Sequence, residues 1–221
     1  DRHEVGLSER GREPVGREIP RVDALKHDDR WMAQKLSKEA LEYDRSCVRA
    51  TFIMMKLLIR QGSYRDAASQ SLKVFDQNPE FGSEAVDRLM KLEREHGDVG
   101  RLVKKLGKFY EAWPSTSLLL ALVESVERTS GRMAAIELLR RELEVRPSVR
   151  GLLRLVELAG YEKGMTTDEG RLVSRIGHLI LANRPVYRCV NCGFSGQQLH
   201  WLCPSCKQWE IVRPIQGVEA E

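Results

Sequence analysis

Four cysteines near the end of the chain carry its strongest chemical signal. Within "YRCVNCGFSGQQLHWLCPSCKQW", residues 187 to 209, they form C-x2-C, ten intervening residues, then C-x2-C: Cys189, Cys192, Cys203 and Cys206. Each C-x2-C turn points two sulfurs inward from one tight knuckle, and two facing knuckles complete a tetrahedron around one metal ion held by four thiolates. Gly193 suits a knuckle whose backbone N–H groups turn toward sulfur, and Pro204 stiffens the second one. All four positions are filled by protein, so the site reads as structural. Zinc is the preferred ion because it suits tetrahedral sulfur without redox constraint, and the same donors accept iron. A redox dithiol pair or disulfides is the competing reading. Paired C-x2-C motifs with a lone fifth cysteine favour a metal in a reducing compartment.

The residues around the cysteines read mostly as packing. His200 lies between the two pairs, but the ligand set is complete without it. Tyr187, Phe194, Trp201 and Trp209 read as the cover of a small ribbon and as its dock on the last helix pair. The rival is an aromatic platform for single-stranded nucleic acid, with Arg171, Arg175, Arg184, Arg188, Lys207 and Arg213 around it. Cys47 adjoins the apolar run "VRATFIMM" and reads as an inert buried thiol. Glu42, Asp44, Glu142 and Glu144 sit beside basic residues on polar helix faces and read as solvated surface. No phosphate-cradling G-x-x-x-x-G-K-[ST], G-x-S-x-G or H-E-x-x-H occurs, so no catalytic constellation emerges and the chain reads as a non-enzyme.

The elements that must position the knuckles are helical. Residues 1–28 read as a loose N-terminal segment or truncated repeat, and an amphipathic helix follows from about Asp29 to Asp44. Three segments then open on Gly62, Gly97 and Gly131 and close on Pro79, Pro114 and Pro147. The glycines are 35 and 34 residues apart and the prolines 35 and 33. A period near 34 is that of the tetratricopeptide repeat, in which each unit is an antiparallel helix pair. The glycines fall where helix A turns into helix B, Tyr64 and Ala67, or Val99 and Leu102, pack B onto A, and the prolines stop helix B. Helix A is read at 48–61, 83–96 and 115–129. A fourth pair, 148–160 and 168–184, is joined by the turn "YEKGMTT" and ends at Pro185. The fold class is an all-α tetratricopeptide-repeat solenoid over 29–185, a rubredoxin-like β zinc-ribbon over 186–217, and a tail at 218–221. A ribbon this small has little core of its own, so metal supplies the missing stability. Solenoids expose the apolar face of their last helix, so the ribbon is expected to cap it and to fix the curvature of the groove.

Composition bounds the function. With 42% apolar and 31% charged residues the chain is a soluble globular type, and 36 basic against 32 acidic residues give a net charge of only +4. That excess is too small for a pronounced nucleic-acid stripe, so no nucleic-acid partner is expected. The longest apolar run, "LLLALV" at 118–123, is far below the roughly 18 to 20 residues of a bilayer-spanning helix. The chain opens on Asp1 rather than Met, so the sequence reads as part of a longer one.

A tetratricopeptide array ending in "YRCVNCGF…HWLCPSCKQWEIVRPI" resembles the lipopolysaccharide assembly protein B family of Gram-negative bacteria over about residues 45 to 217. The resemblance implies an adaptor anchored in the inner membrane, with repeats and a rubredoxin-type domain, folded against the last repeats, on the cytoplasmic side. It implies three partners: the deacetylase that commits carbon to lipid A, the membrane-bound AAA+ protease that degrades it, and a further inner-membrane regulator of the pathway. A homodimer is compatible with it, and this anchorless piece is expected to be soluble and cytoplasmic. The metal role falls on Cys189, Cys192, Cys203 and Cys206. The alternative function is a nucleic-acid-binding zinc ribbon on a helical arm.

Overall fold

The computed structural model describes residues 30–96, 99–162, 168–182 and 184–215. The loose segment at 1–28, Gly97, residues 163–167 of the longer turn, the side chains of Val99 and Leu102, and the tail at 218–221 lie outside the described residues.

Nine helices follow in order among the described residues: α1 (Arg30–Tyr43), α2 (Val48–Arg60), α3 (Tyr64–Gln77), α4 (Gly82–His96), α5 (Val99–Ala112), α6 (Thr116–Ser130), α7 (Arg132–Val145), α8 (Val149–Glu162) and α9 (Asp168–Ala182). A 3-10 turn, Pro79–Phe81, precedes α4. Backbone chemistry sets the boundaries. Gly62 and Gly131 adopt φ of +76° and +89° at the A-to-B turns, a region that L side chains enter only with strain. Asn78 and Arg146, each preceding a proline, are extended at φ −158° and −134° and end α3 and α7. The Asn78 side chain accepts a hydrogen bond from the Glu80 N–H at 3.0 Å and starts the 3-10 turn. Ser115 caps α6 by accepting from Leu118 N–H, and Ser148 accepts from Gly151 N–H at the start of α8.

Packing follows the repeat logic. Of the A helices (α2, α4, α6, α8), α2 packs on α3, α6 on α7 and α8 on α9; each B helix packs on the next A helix, and α4, α6 and α8 also touch in sequence. One continuous core runs through the array, from Phe52 and Met55 through Val86, Leu89 and Leu106 to Leu118, Val123, Ala135 and Leu139. Ala67 is fully buried and Tyr64 packs beside it, as expected of the A-to-B contact. Ion pairs cross the row of A helices: Arg94 forks onto Glu124 with two bonds of 2.6 Å, and Arg154 reaches Glu127 at 2.6 Å. The B row has Tyr110 donating to Glu142 at 3.0 Å. No helix among the described residues is long and apolar enough to cross a membrane.

The chain then makes a three-stranded antiparallel sheet in the order β2 (Ser195–Gly196), β1 (Tyr187–Cys189), β3 (Val212–Pro214). Tyr187 pairs with Gly196 on one side and with Pro214 on the other, and Leu202 bridges Trp209 within the second knuckle.

Candidate metal centre

The two knuckles are near copies of one another. In the first, Gly193 N–H returns to Cys189 O at 3.0 Å; in the second, Lys207 N–H returns to Cys203 O at 3.1 Å. Both residues have positive φ, +74° at Gly193 and +60° at Lys207. Glycine takes this conformation without cost, whereas the lysine bears strain and its Nζ reaches the Pro204 carbonyl at 2.6 Å. Each tight return turns the sulfurs of its C-x2-C pair toward the other knuckle.

The four Sγ atoms of Cys189, Cys192, Cys203 and Cys206 lie within 4.8 Å of one another. Across the knuckles, Cys189 faces Cys206 at 3.8 Å and Cys192 faces Cys203 at 3.7 Å. A metal–sulfur bond of about 2.3 Å requires tetrahedral sulfur edges of about 3.8 Å, which the two cross-knuckle distances match. Protonation differs among the four thiols. The Phe194 backbone N–H, ahead of the other causes, draws the Cys192 thiol down to about 6, while burial pushes Cys203 up to about 11. A backbone N–H from Gln208 lowers Cys206. Four thiolates at this spacing repel one another, and a cation at their centre lets all four ionise. The same geometry accepts zinc or iron. His200 turns away and meets the Phe194 ring edge-on at 5.8 Å.

The ribbon docks elsewhere than expected. Instead of sitting over the last helix pair, it lies against α2, the 3-10 turn and α4. Trp201 stacks on Phe81, with ring centroids 5.6 Å apart, and tilts against Phe52 of α2 at 6.1 Å. Arg49 of α2 lies over Trp209 at 4.7 Å. Tyr187 donates to Glu84, and Arg213 pairs with Glu80. Leu199 joins the array core to the ribbon core of Tyr187, Cys189, Cys203 and Val212. On the α9 side, Gln197 donates to the Ala182 carbonyl at 2.8 Å. The reason is chemical fit: α2 and the 3-10 turn offer two phenyl rings and a buried guanidinium to two tryptophans, while α9 offers aliphatic side chains and no aromatic.

Sequence reasoning placed the four cysteines and missed the docking set of Arg49, Phe52, Phe81 and Glu84. A signal was present: Arg49 is a charge in the first turn of a largely apolar helix, and a cation buried to 6% exposure needs a partner. Cys47 is buried, with its thiol pushed up by that burial, as an inert thiol should be.

Fold and site together define a class: a helical-repeat array carrying a C-terminal rubredoxin-type ribbon. Residues 187–214 match the family described as the rubredoxin metal binding domain. Over 201 residues the chain is 27% identical to lipopolysaccharide assembly protein B of Escherichia coli strain K12, covering 89% of this chain and 52% of that one. It is 29% identical over 185 residues to the protein of the same name from Haemophilus influenzae, covering 82% and 46%. The resemblance read from the terminal motif therefore holds, and the chain spans about half the length of these relatives. Among solved structures, a MamA RS-1 double mutant superposes over 72% of this chain and 91% of its own, at TM-score 0.48 and 14% identity. A second MamA structure covers 71% and 85% at TM-score 0.45 and 17% identity.

Proposed function

We propose that the chain is the non-enzymatic scaffold portion of a protein of lipopolysaccharide assembly. In this reading it brings the lipid A deacetylase to a membrane-bound AAA+ protease and works at the cytoplasmic face of the inner membrane with a further membrane regulator. The observation that carries the reading is that similarity to lipopolysaccharide assembly protein B runs through array and ribbon together, over 89% of the chain. The geometry gives such a scaffold a physical basis. The ribbon is tied back to α2, the 3-10 turn and α4, so a partner laid on the row of A helices meets the ribbon on that same face. The metal, bound by Cys189, Cys192, Cys203 and Cys206, holds the two knuckles and through them the docking face of Trp201 and Trp209. Both tryptophans pack against array side chains, which disfavours the single-strand platform.

Affinity capture from detergent-solubilised Gram-negative membranes tests this, with the chain and its Cys203→Ser/Cys206→Ser variant as baits. Recovery of protease or deacetylase by the intact chain and not by the variant supports the adaptor; recovery of neither by either bait overturns it for this part of the protein.

A further inference from the structure

The two knuckles repeat one pattern of hydrogen bonds to sulfur. In each, the first cysteine accepts from the backbone N–H that closes its own loop: Cys192 N–H reaches Cys189 Sγ at 3.5 Å, and Cys206 N–H reaches the Cys203 sulfur. The second cysteine accepts from the backbone N–H two residues further on, Phe194 for Cys192 and Gln208 for Cys206. These bonds come from the turn itself, because any residue placed there has an amide to donate. The side chains add a contact that the turn does not dictate. Asn191, third residue of the first C-x2-C, donates to the Cys206 sulfur, and Ser205, third residue of the second, donates to the Cys192 sulfur. It is one contact made twice, from the same position of each loop to the same sulfur of the other. Both bonds cross between the knuckles, where Cys189 faces Cys206 at 3.8 Å and Cys192 faces Cys203 at 3.7 Å. They also serve the two sulfurs nearest to water: Cys192 is exposed and Cys206 half-buried, while Cys189 and Cys203 are buried.

We propose that Asn191 and Ser205 form a reciprocal clasp across the metal site, as positioning residues that aim the Cys206 and Cys192 sulfurs at the shared centre and slow loss of the ion on its solvent side. A donor to a thiolate draws off part of its charge and fixes the direction of its remaining lone pairs, which is how groups behind the ligands orient them and tune the metal. Four sulfurs this close repel one another, so each donor eases the crowding of charge as well. A donor carried on the opposite knuckle does one thing more: it ties the two loops to each other directly, at the separation the four ligands need.

Transfer of zinc from the loaded full chain to a chromophoric chelator tests the clasp. Asn191→Ala and Ser205→Ala are each expected to raise the zinc dissociation constant about 10-fold, and the double variant about 100-fold, the range that loss of a group behind a ligand costs metal sites. Ser205→Thr keeps the hydroxyl and stays within about 2-fold of the wild type, whereas Asn191→Asp, equal in size but with acceptors only, weakens binding more than Asn191→Ala. A second readout separates hydrogen bonding to sulfur from support of the loops. In the cobalt-loaded chain, loss of a donor raises the sulfur lone pairs and moves the thiolate-to-cobalt absorption to longer wavelength; in the iron-loaded chain it lowers the reduction potential. Trp201→Ala, at the docking face, leaves both where they were. Alanine variants that hold zinc within about 2-fold of the wild type overturn the proposal. So does weaker zinc binding with an unmoved cobalt band and an unmoved potential, since the two side chains would then brace the loops without acting on sulfur.

Discussion

Two regions of the array, α2 with the 3-10 turn and α9, are treated in opposite ways. In the first region, α2 and the 3-10 turn are covered by the ribbon, with two tryptophans, a buried guanidinium and two carboxylate contacts reaching across more than a hundred residues of sequence. In the second, α9 leaves an aliphatic stripe exposed although the ribbon follows it directly in the chain. Proximity in sequence did not decide the docking; side-chain chemistry did. Flat aromatic rings and a cation recognise one another with geometry as well as area, whereas an aliphatic stripe is satisfied by any helix of matching shape.

The largest break in this contrast comes from the metal. Cys203→Ser/Cys206→Ser removes two ligands and with them the order of both docking tryptophans. The melting temperature of the array should fall by about 10 °C or more, since several kcal/mol of metal-linked stability moves a chain of this size by roughly 2–4 °C per kcal/mol. Amide exchange should quicken in α2 and the 3-10 turn and stay unchanged in α9; an unchanged melt, or loss of protection confined to α9, would contradict the docking described. Trp201→Ala cuts the same contact from the other side. It should cost about 2–4 kcal/mol while the substituted chain still shows the absorption of a four-thiolate cobalt site. Trp113→Ala, at an exposed tryptophan on the array surface, should change stability by less than about 0.5 kcal/mol. Equal effects of the two would mean that Trp201 is no anchor.

Much of this was legible in the residues. Gly62, Gly131, Pro79 and Pro147 announced the helix pairs because backbone conformation is dictated locally, and the four cysteines announced their cluster because ligand spacing within a knuckle is local too. The docking face was not legible. Phe52, Phe81 and Trp201 come from three places that no periodicity connects, and each alone reads as ordinary core or cover. The default that a terminal element caps its neighbour then filled the gap and pointed to the last helix pair instead of α2 and the 3-10 turn. Even within the ribbon, one knuckle advertised its turn and the other hid it: Gly193 signals positive φ, while Lys207 adopts it without any signal in its residue type. Gly193→Ala should therefore cost about 1 kcal/mol, seen as a lower melting temperature with metal still bound.

The smallest expected effect concerns a charge inside the covered half. Asp87 on α4 is pushed above the usual carboxylate range, first by burial, with the nearby Arg150 working in the other direction. Its folded value thus lies above the unfolded one, so the native state binds the extra proton and the charged form is the penalised one. Near neutral pH the wild-type chain bears that penalty, and it fades as pH falls through the folded value toward the unfolded 3.8. Asp87→Asn is similar in size and has no charge to desolvate. It should raise the melting temperature slightly near neutral pH, by no more than about 2 °C, and the gap between the two proteins should close as both are acidified. A gap that widens on acidification would mean that the carboxylate is stabilised by Arg150 more than it is penalised by burial, and that the row of A helices is held by its charges rather than in spite of them.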